Sequence, residues 1–130
     1  MKERVKRKMC IYIIDEAIKR IEGLDIEPSV KQTAEYLLLE AEVLNLSWDQ
    51  EEVNQLLEEF WPATLDIATG KGEDRKSPRW FTAECLWSVA RGLQNTDKSI
   101  MQMIDEMSIH GDKGKYLAVL NEFEKEETNA

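Results

Sequence analysis

The sequence contains few of the residues that interrupt helices or build turn-rich β folds. Of its 130 residues only three are proline and six are glycine. Most of them lie between segments in which apolar residues recur at helical intervals. This scarcity favours helices over a sandwich or barrel of short strands.

A long apolar run is also missing. The longest, Met9 to Ile14, is far shorter than the roughly 20 residues that a membrane-spanning helix needs. Basic residues precede it, as in a signal peptide, but Asp15 and Glu16 follow at once without a cleavage site of small residues. We therefore expect a cytoplasmic protein of one domain with no membrane partner.

Residues that commonly carry catalysis are scarce, since the chain has two cysteines and one histidine. Cys10 and Cys85 lie within apolar helical patterns, which is typical of buried free thiols. Glu106 and His110 are spaced to share a helical face, but a metal site in a helical bundle needs more histidines and carboxylates. The sequence predicts no catalytic residue, no metal and no cofactor.

Charge is plentiful and unevenly distributed around a net value of −9. Residues 2–8 include five basic residues, whereas residues 15–60 include thirteen acidic and three basic residues. The acidic half disfavours extended contact with nucleic acid. Cations at a helix start oppose the helix dipole, so contacts with the acidic half, a partner or fraying must offset the basic start. Fraying is expected within residues 1–8 and 126–130.

Six segments have the apolar spacing of helices. We predict helices over residues 3–21, 29–46, 47–60, 77–93, 96–109 and 115–125, with a further short turn over residues 63–69. Mostly short connections favour antiparallel neighbours. The predicted fold is all-α, a single-domain bundle of about five to six antiparallel helices.

The second helix has two apolar stripes, which form a wide arc and predict a central position in the bundle. One stripe consists of Val30, Ala34, Leu37, Ala41 and Leu44, and the other of Tyr36, Leu39, Val43 and Leu46.

Helix boundaries follow from capping residues and prolines. Ser47 and Gln50 form a capping-box pattern for the third helix. Pro62 should stop or kink that helix, because proline disfavours helical geometry in the residue before it. Ser77 and Pro78 match an N-cap followed by the first helical residue.

A segment resembling a helix-turn-helix motif lies between the second and third helices. Residues 41–47 match its helix and turn, but residues 48–60, the would-be recognition helix, contain five acidic residues and neither lysine nor arginine. A recognition helix needs hydrogen-bond donors for bases and cations for phosphates. Local helix packing is the favoured interpretation.

Residues 70–79 form a partly basic loop that leads into a helix N-terminus, where anions bind favourably. A solvated loop is the alternative. The candidate anion-binding residues are Lys71, Arg75, Lys76 and Arg79.

Aromatic and sulfur-containing side chains suggest a protein-binding surface, since tryptophan and methionine are favoured at interfaces. The alternative is that they fill the core. The candidate partner-binding residues are Arg79, Trp80, Trp87, Met101, Met103 and Met107.

The leading functional hypothesis is a small acidic helical module for protein–protein interaction or regulation, without enzymatic activity. Its protein partner is not identified by the sequence, and homo-oligomerisation is left open. The alternatives are a DNA-binding transcriptional regulator, contacting nucleic acid through residues 2–8 or 71–79, an acidic mimic of DNA, and an enzyme on a helical scaffold.

Overall fold

The structure, a computed structural model, describes residues 1–68, 77–108 and 112–129. Within these residues there are six α-helices and no strand. They are α1 Glu3–Glu22, α2 Pro28–Ser47, α3 Gln50–Ala68, α4 Pro78–Gly92, α5 Asp97–Met107 and α6 Lys113–Asn129. Consecutive helices pack against each other, which confirms the predicted all-α bundle. None of these helices combines the length and the apolarity needed to cross a bilayer.

The first and fourth helices, rather than the second, occupy the centre of the bundle. α1 packs against α2, α4, α5 and α6, and α4 packs against α1, α2, α3 and α5, whereas α2 packs against only α1, α3 and α4 among the described helices. Two apolar stripes of α1 are buried, which provides a contact surface for neighbours on several sides. Their members are Val5, Met9, Cys10, Ile13, Ile14, Ala17 and Ile21. The prediction that α2 is central is therefore wrong.

The junction between α2 and α3 differs from the predicted capping box. Ser47 still belongs to α2, and Trp48 ends the helix in the left-handed conformation, with φ of 53° and an amide that donates to the Leu44 carbonyl at 2.7 Å. Asp49 caps α3 instead, because its Oδ1 accepts a hydrogen bond from the Glu52 amide at 3.0 Å. Packing of the half-buried Trp48 against the core offsets the strain of its backbone.

Helix α3 continues through Pro62 to Ala68, so of the two outcomes predicted at residue 61, a stop or a kink, the stop is wrong. The buried residues Phe60, Thr64 and Ile67 lie on either side of the proline. Burial of this face stabilises the helix beyond the point where its local sequence favours an end.

The next two helix starts are capped by their own side chains. The Ser77 hydroxyl accepts a hydrogen bond from the Trp80 amide at 3.1 Å, which confirms the predicted cap of α4. Thr96 and Ser99 form a reciprocal capping box at the start of α5. At the end of α4, a Cβ on Gly92 would lie 2.4 Å from Sδ of Met103, so a larger residue there would require the buried Met103 side chain to shift.

The basic start of α1 is balanced by acidic groups of α5 and α6, not by the acidic half. Lys8 Nζ lies 2.9 Å from Glu126 Oε2, Arg4 Nε lies 3.4 Å from Glu127 Oε1, and Lys6 Nζ lies 3.2 Å from Asp97 Oδ1. The Met1 α-amino group also pairs with Asp97 at 3.0 Å. Hydrogen bonds from this amine and from Lys6 lower the pKa of Asp97.

Candidate interaction surface

The three candidate methionines do not share a surface. Met101 is 37% exposed, whereas Met103 and Met107 are buried with Ile100 and Ile104. Residues 101 and 103 differ by about 200° around a helix. Met103 therefore lies on the core-facing side of α5, and Met101 lies on the solvent-facing side. Neither Met103 nor Met107 can contact a partner in this structure.

The candidate tryptophans lie on the α3–α4 side of the bundle. Trp87 is 38% exposed, and its ring meets that of Trp61 edge-on with centroids 4.9 Å apart. The Arg91 guanidinium lies 5.2 Å from the centroid of Trp87. Trp80 is half-buried, and its Nε1 donates to Glu84 Oε1 at 2.8 Å. These contacts fix the positions of both indole rings on the α3–α4 side of the bundle.

Arg79 serves a structural role in this fold. Its Nε donates to the Ile67 carbonyl at 2.8 Å, and its Nη2 donates to the Asp66 carbonyl at 3.3 Å. Its Nη1 donates to Glu27 Oε1 at 3.1 Å. The guanidinium thus satisfies carbonyls of the last turn of α3 and ties α4 to α3. The other candidate anion-binding residues, Lys71, Arg75 and Lys76, lie outside the described residues.

Among the described residues, four of the five most exposed large apolar side chains form a line along α2, and the fifth is Leu65 of α3. We call Tyr36, Leu39, Val43 and Leu46 the α2 stripe. Their exposed fractions are 55%, 54%, 62% and 72%, respectively. The same helix buries Ala34, Leu37, Leu38 and Ala41 on its other side. Single exposed apolar side chains are common, whereas a continuous row of them is unusual on the surface of a monomer.

The segment that contains the α2 stripe is acidic and has no lysine or arginine. Between residues 32 and 68 the sequence has nine acidic residues and neither lysine nor arginine. Every ion pair between described residues uses a carboxylate outside this segment. Glu35, Glu40 and Glu42 lie on α2 itself, whereas Glu51, Glu52, Glu58 and Glu59 are exposed on α3. The helix that carries the apolar stripe therefore also carries acidic side chains.

One of these carboxylates resists ionisation. Burial, a hydrogen bond with Asp15 and repulsion by the charge of Asp15 raise the pKa of Glu42 to about 7. When folding raises the pKa of a carboxyl group, the folded state is stabilised fully only below the pKa that the group has in the unfolded chain. This stabilisation is lost as the pH rises through the pKa that the group has in the folded protein. Near neutral pH the pair Glu42–Asp15 therefore opposes folding.

We predict that Glu42→Gln raises the melting temperature at pH 8 by about 1–3 °C, because the amide cannot ionise and solvent screens the exposed pair. The gain should shrink as the pH falls towards 5, where Glu42 is protonated in the folded protein. Melting curves across this pH range check the prediction, with Glu40→Gln as the matched control. A gain that is independent of pH would contradict the assignment to ionisation.

Only one of the two surfaces named for nucleic acid falls within the described residues, because residues 71–76 lie outside them. Lys6 and Lys8 are engaged in ion pairs with Asp97 and Glu126, and the outward side of α3 is acidic. A helix with that charge repels the phosphates that a recognition helix must approach. The segment that resembles a helix-turn-helix motif is the junction between α2 and α3, two helices that pack against each other.

Within the described residues, the two thiols are buried and no cluster of metal ligands forms. Burial raises the pKa of both Cys10 and Cys85 to about 12, which leaves their thiols protonated and unreactive. No three potential metal ligands cluster in the parts of the chain that the structure describes, and His110 lies outside them.

Compared with known protein families, with characterised proteins and with solved structures, the chain shows no significant similarity to any of them.

Proposed function

We propose that the protein is a non-enzymatic interaction module that binds another protein through the α2 stripe. The single observation that carries this proposal is the continuous exposure of Tyr36, Leu39, Val43 and Leu46 on a helix whose opposite side is fully packed. Covering such side chains with a partner removes apolar surface from water, which stabilises a complex. Surrounding carboxylates keep the free protein in solution and select partners by charge.

An acidic mimic of DNA is the second candidate, and the nine carboxylates between residues 32 and 68 favour it. A DNA-binding protein that accepts such a mimic would be held by charge. The apolar row at the centre of the acidic surface favours a protein ligand with an apolar face of its own.

The proposal is tested by comparing the wild type with Leu39→Gln/Leu46→Gln, which removes two apolar contacts without changing the charge. Each protein is immobilised and exposed to a native extract, and a retained protein is identified, purified and titrated by calorimetry. We expect the double variant to weaken the affinity at least tenfold, because each buried leucine contributes about 1.5–3 kcal/mol.

Leu117→Gln is the matched control, since Leu117 is an exposed leucine of α6. It should bind the partner as the wild type does. Equal retention by the wild type and the α2 double variant would overturn the proposal. Retention that is insensitive to the leucines but lost in Glu51→Gln/Glu52→Gln/Glu58→Gln would favour the DNA mimic.

A further inference from the structure

The spacing of the α2 stripe is that of a coiled-coil seam. Its four residues follow one another at intervals of three, four and three, which places Tyr36 and Val43 at heptad position a, and Leu39 and Leu46 at position d. A narrow a/d row fits one neighbouring helix that crosses at about 20°. The row spans ten residues of rise, or about 15 Å, which matches two to three turns of that helix.

The other heptad positions of α2 already have partners inside the protein. Leu37 at b, Leu38 at c and Ala41 at f are buried in the bundle. The helix is therefore packed on one side and has an unoccupied helix-binding seam on the other.

The residues that flank the seam specify the charge of the occupant. Glu35 and Glu42 occupy g positions and Glu40 an e position, so every charged flank of the stripe is acidic. Residues at e and g decide which helices pair, through ion pairs with the facing helix. Asp15 of α1 lies beside Glu42 and adds a further negative group.

A second copy of this chain would place acidic residues against the acidic flanks of the α2 stripe. In a parallel pair of α2 helices Glu35 would face Glu40, and in an antiparallel pair Glu35 would face Glu42 and Glu40 would face its own copy. Like charges at these positions disfavour pairing, and the net charge of −9 adds repulsion between copies.

We infer that the partner presents a cationic amphipathic helix that packs lengthwise on α2, an inference that rests on the proposed function. This helix has apolar residues along one seam and lysine or arginine beside it. Glu35 and Glu40 provide the charge selection, joined by Glu42 where the pH is above its raised pKa of about 7, and the α2 stripe provides the apolar contact. The helix completes a coiled-coil pair whose other member is already held rigidly by the bundle.

Two synthetic peptides of three heptads test the inference. Both have leucine at a and d and alanine or glutamine elsewhere, but one has lysine and the other glutamate at every e and g position. Like charges keep either peptide from pairing with itself. Binding of each labelled peptide to the full chain is measured by fluorescence anisotropy at low and at moderate salt.

We expect the lysine peptide to bind at least tenfold more tightly than the glutamate peptide, with the difference reduced by salt. Glu35→Gln/Glu40→Gln/Glu42→Gln should lose this discrimination, and Leu39→Gln/Leu46→Gln should lose binding of the lysine peptide. The control Glu52→Gln/Glu58→Gln/Glu59→Gln removes the same number of charges from α3. It should still bind the lysine peptide and still discriminate against the glutamate peptide.

Three results would overturn the inference. The first is equal binding of the two peptides. The second is a preference for the lysine peptide that survives in the α2 triple variant but is lost in the α3 triple variant. The third is a wild-type dimer that dissociates in Leu39→Gln/Leu46→Gln. If neither peptide binds while a native partner is retained through Leu39 and Leu46, the helix inference fails and the proposed function stands. If no ligand of any kind depends on those leucines, both fail.

Discussion

Truncation of Leu38 to alanine is expected to lower the free energy of unfolding by about 2–5 kcal/mol. This side chain is completely buried on the packed side of α2, so its removal leaves a cavity in addition to losing apolar burial. Urea denaturation followed by circular dichroism measures the difference. A chain of 130 residues with ordinary stability would have a markedly lower melting temperature.

Its neighbour Leu39 is the matched control, because the same substitution at a residue that is 54% exposed should change the stability by no more than about 0.5 kcal/mol. This contrast between adjacent leucines tests whether the α2 stripe is uncovered in solution. If Leu39→Ala and Leu38→Ala cost the same, some element must cover the stripe in the free protein, and the proposed binding face would not be available.

Replacing Pro62 with alanine is expected to stabilise the protein by about 1–3 kcal/mol. Proline inside a helix lacks an amide donor and its ring crowds the carbonyl four residues earlier, here that of Glu58. Pro62 is exposed, so alanine leaves no cavity and restores the missing hydrogen bond. Denaturant unfolding of Pro62→Ala measures the gain.

Glu59→Ala is the control for Pro62→Ala, because it changes another exposed residue of α3 without adding a backbone hydrogen bond. Its effect should remain within about 0.5 kcal/mol. A loss of stability in Pro62→Ala would instead mean that local bending at the proline is needed for α3 to meet α4, where Trp61 contacts Trp87.

Helical spacing predicted the number and the approximate positions of the helices, because the core-facing residues of each segment recur at that spacing. The cap at Ser77 was also readable, since serine before proline has a strong local preference. The end of α3 was not, because local sequence disfavours a helix at Pro62 while the burial of Thr64 and Ile67 favours it. Tertiary packing outweighed the local preference.

The proposed binding face was only partly predictable from the sequence. Spacing identified Tyr36, Leu39, Val43 and Leu46 as one stripe, but an apolar row looks the same whether its partner lies within the chain or outside it. The glutamates at positions 35, 40 and 42 were the available signal, because carboxylates beside a fully buried row would lose solvation. The methionines of α5 were equally ambiguous, because their spacing did not indicate which side of the helix would be buried.

Glutamates beside an uncovered apolar row also limit the conditions under which the protein can be handled. An ordinary glutamate takes up a proton near pH 4.3, and Glu42 does so earlier, at about pH 7. Acidification therefore removes the repulsion between molecules while Leu39 and Leu46 remain bare. Concentrated samples would then cloud or sediment in mildly acidic buffers, so crystallisation and storage should begin from alkaline ones.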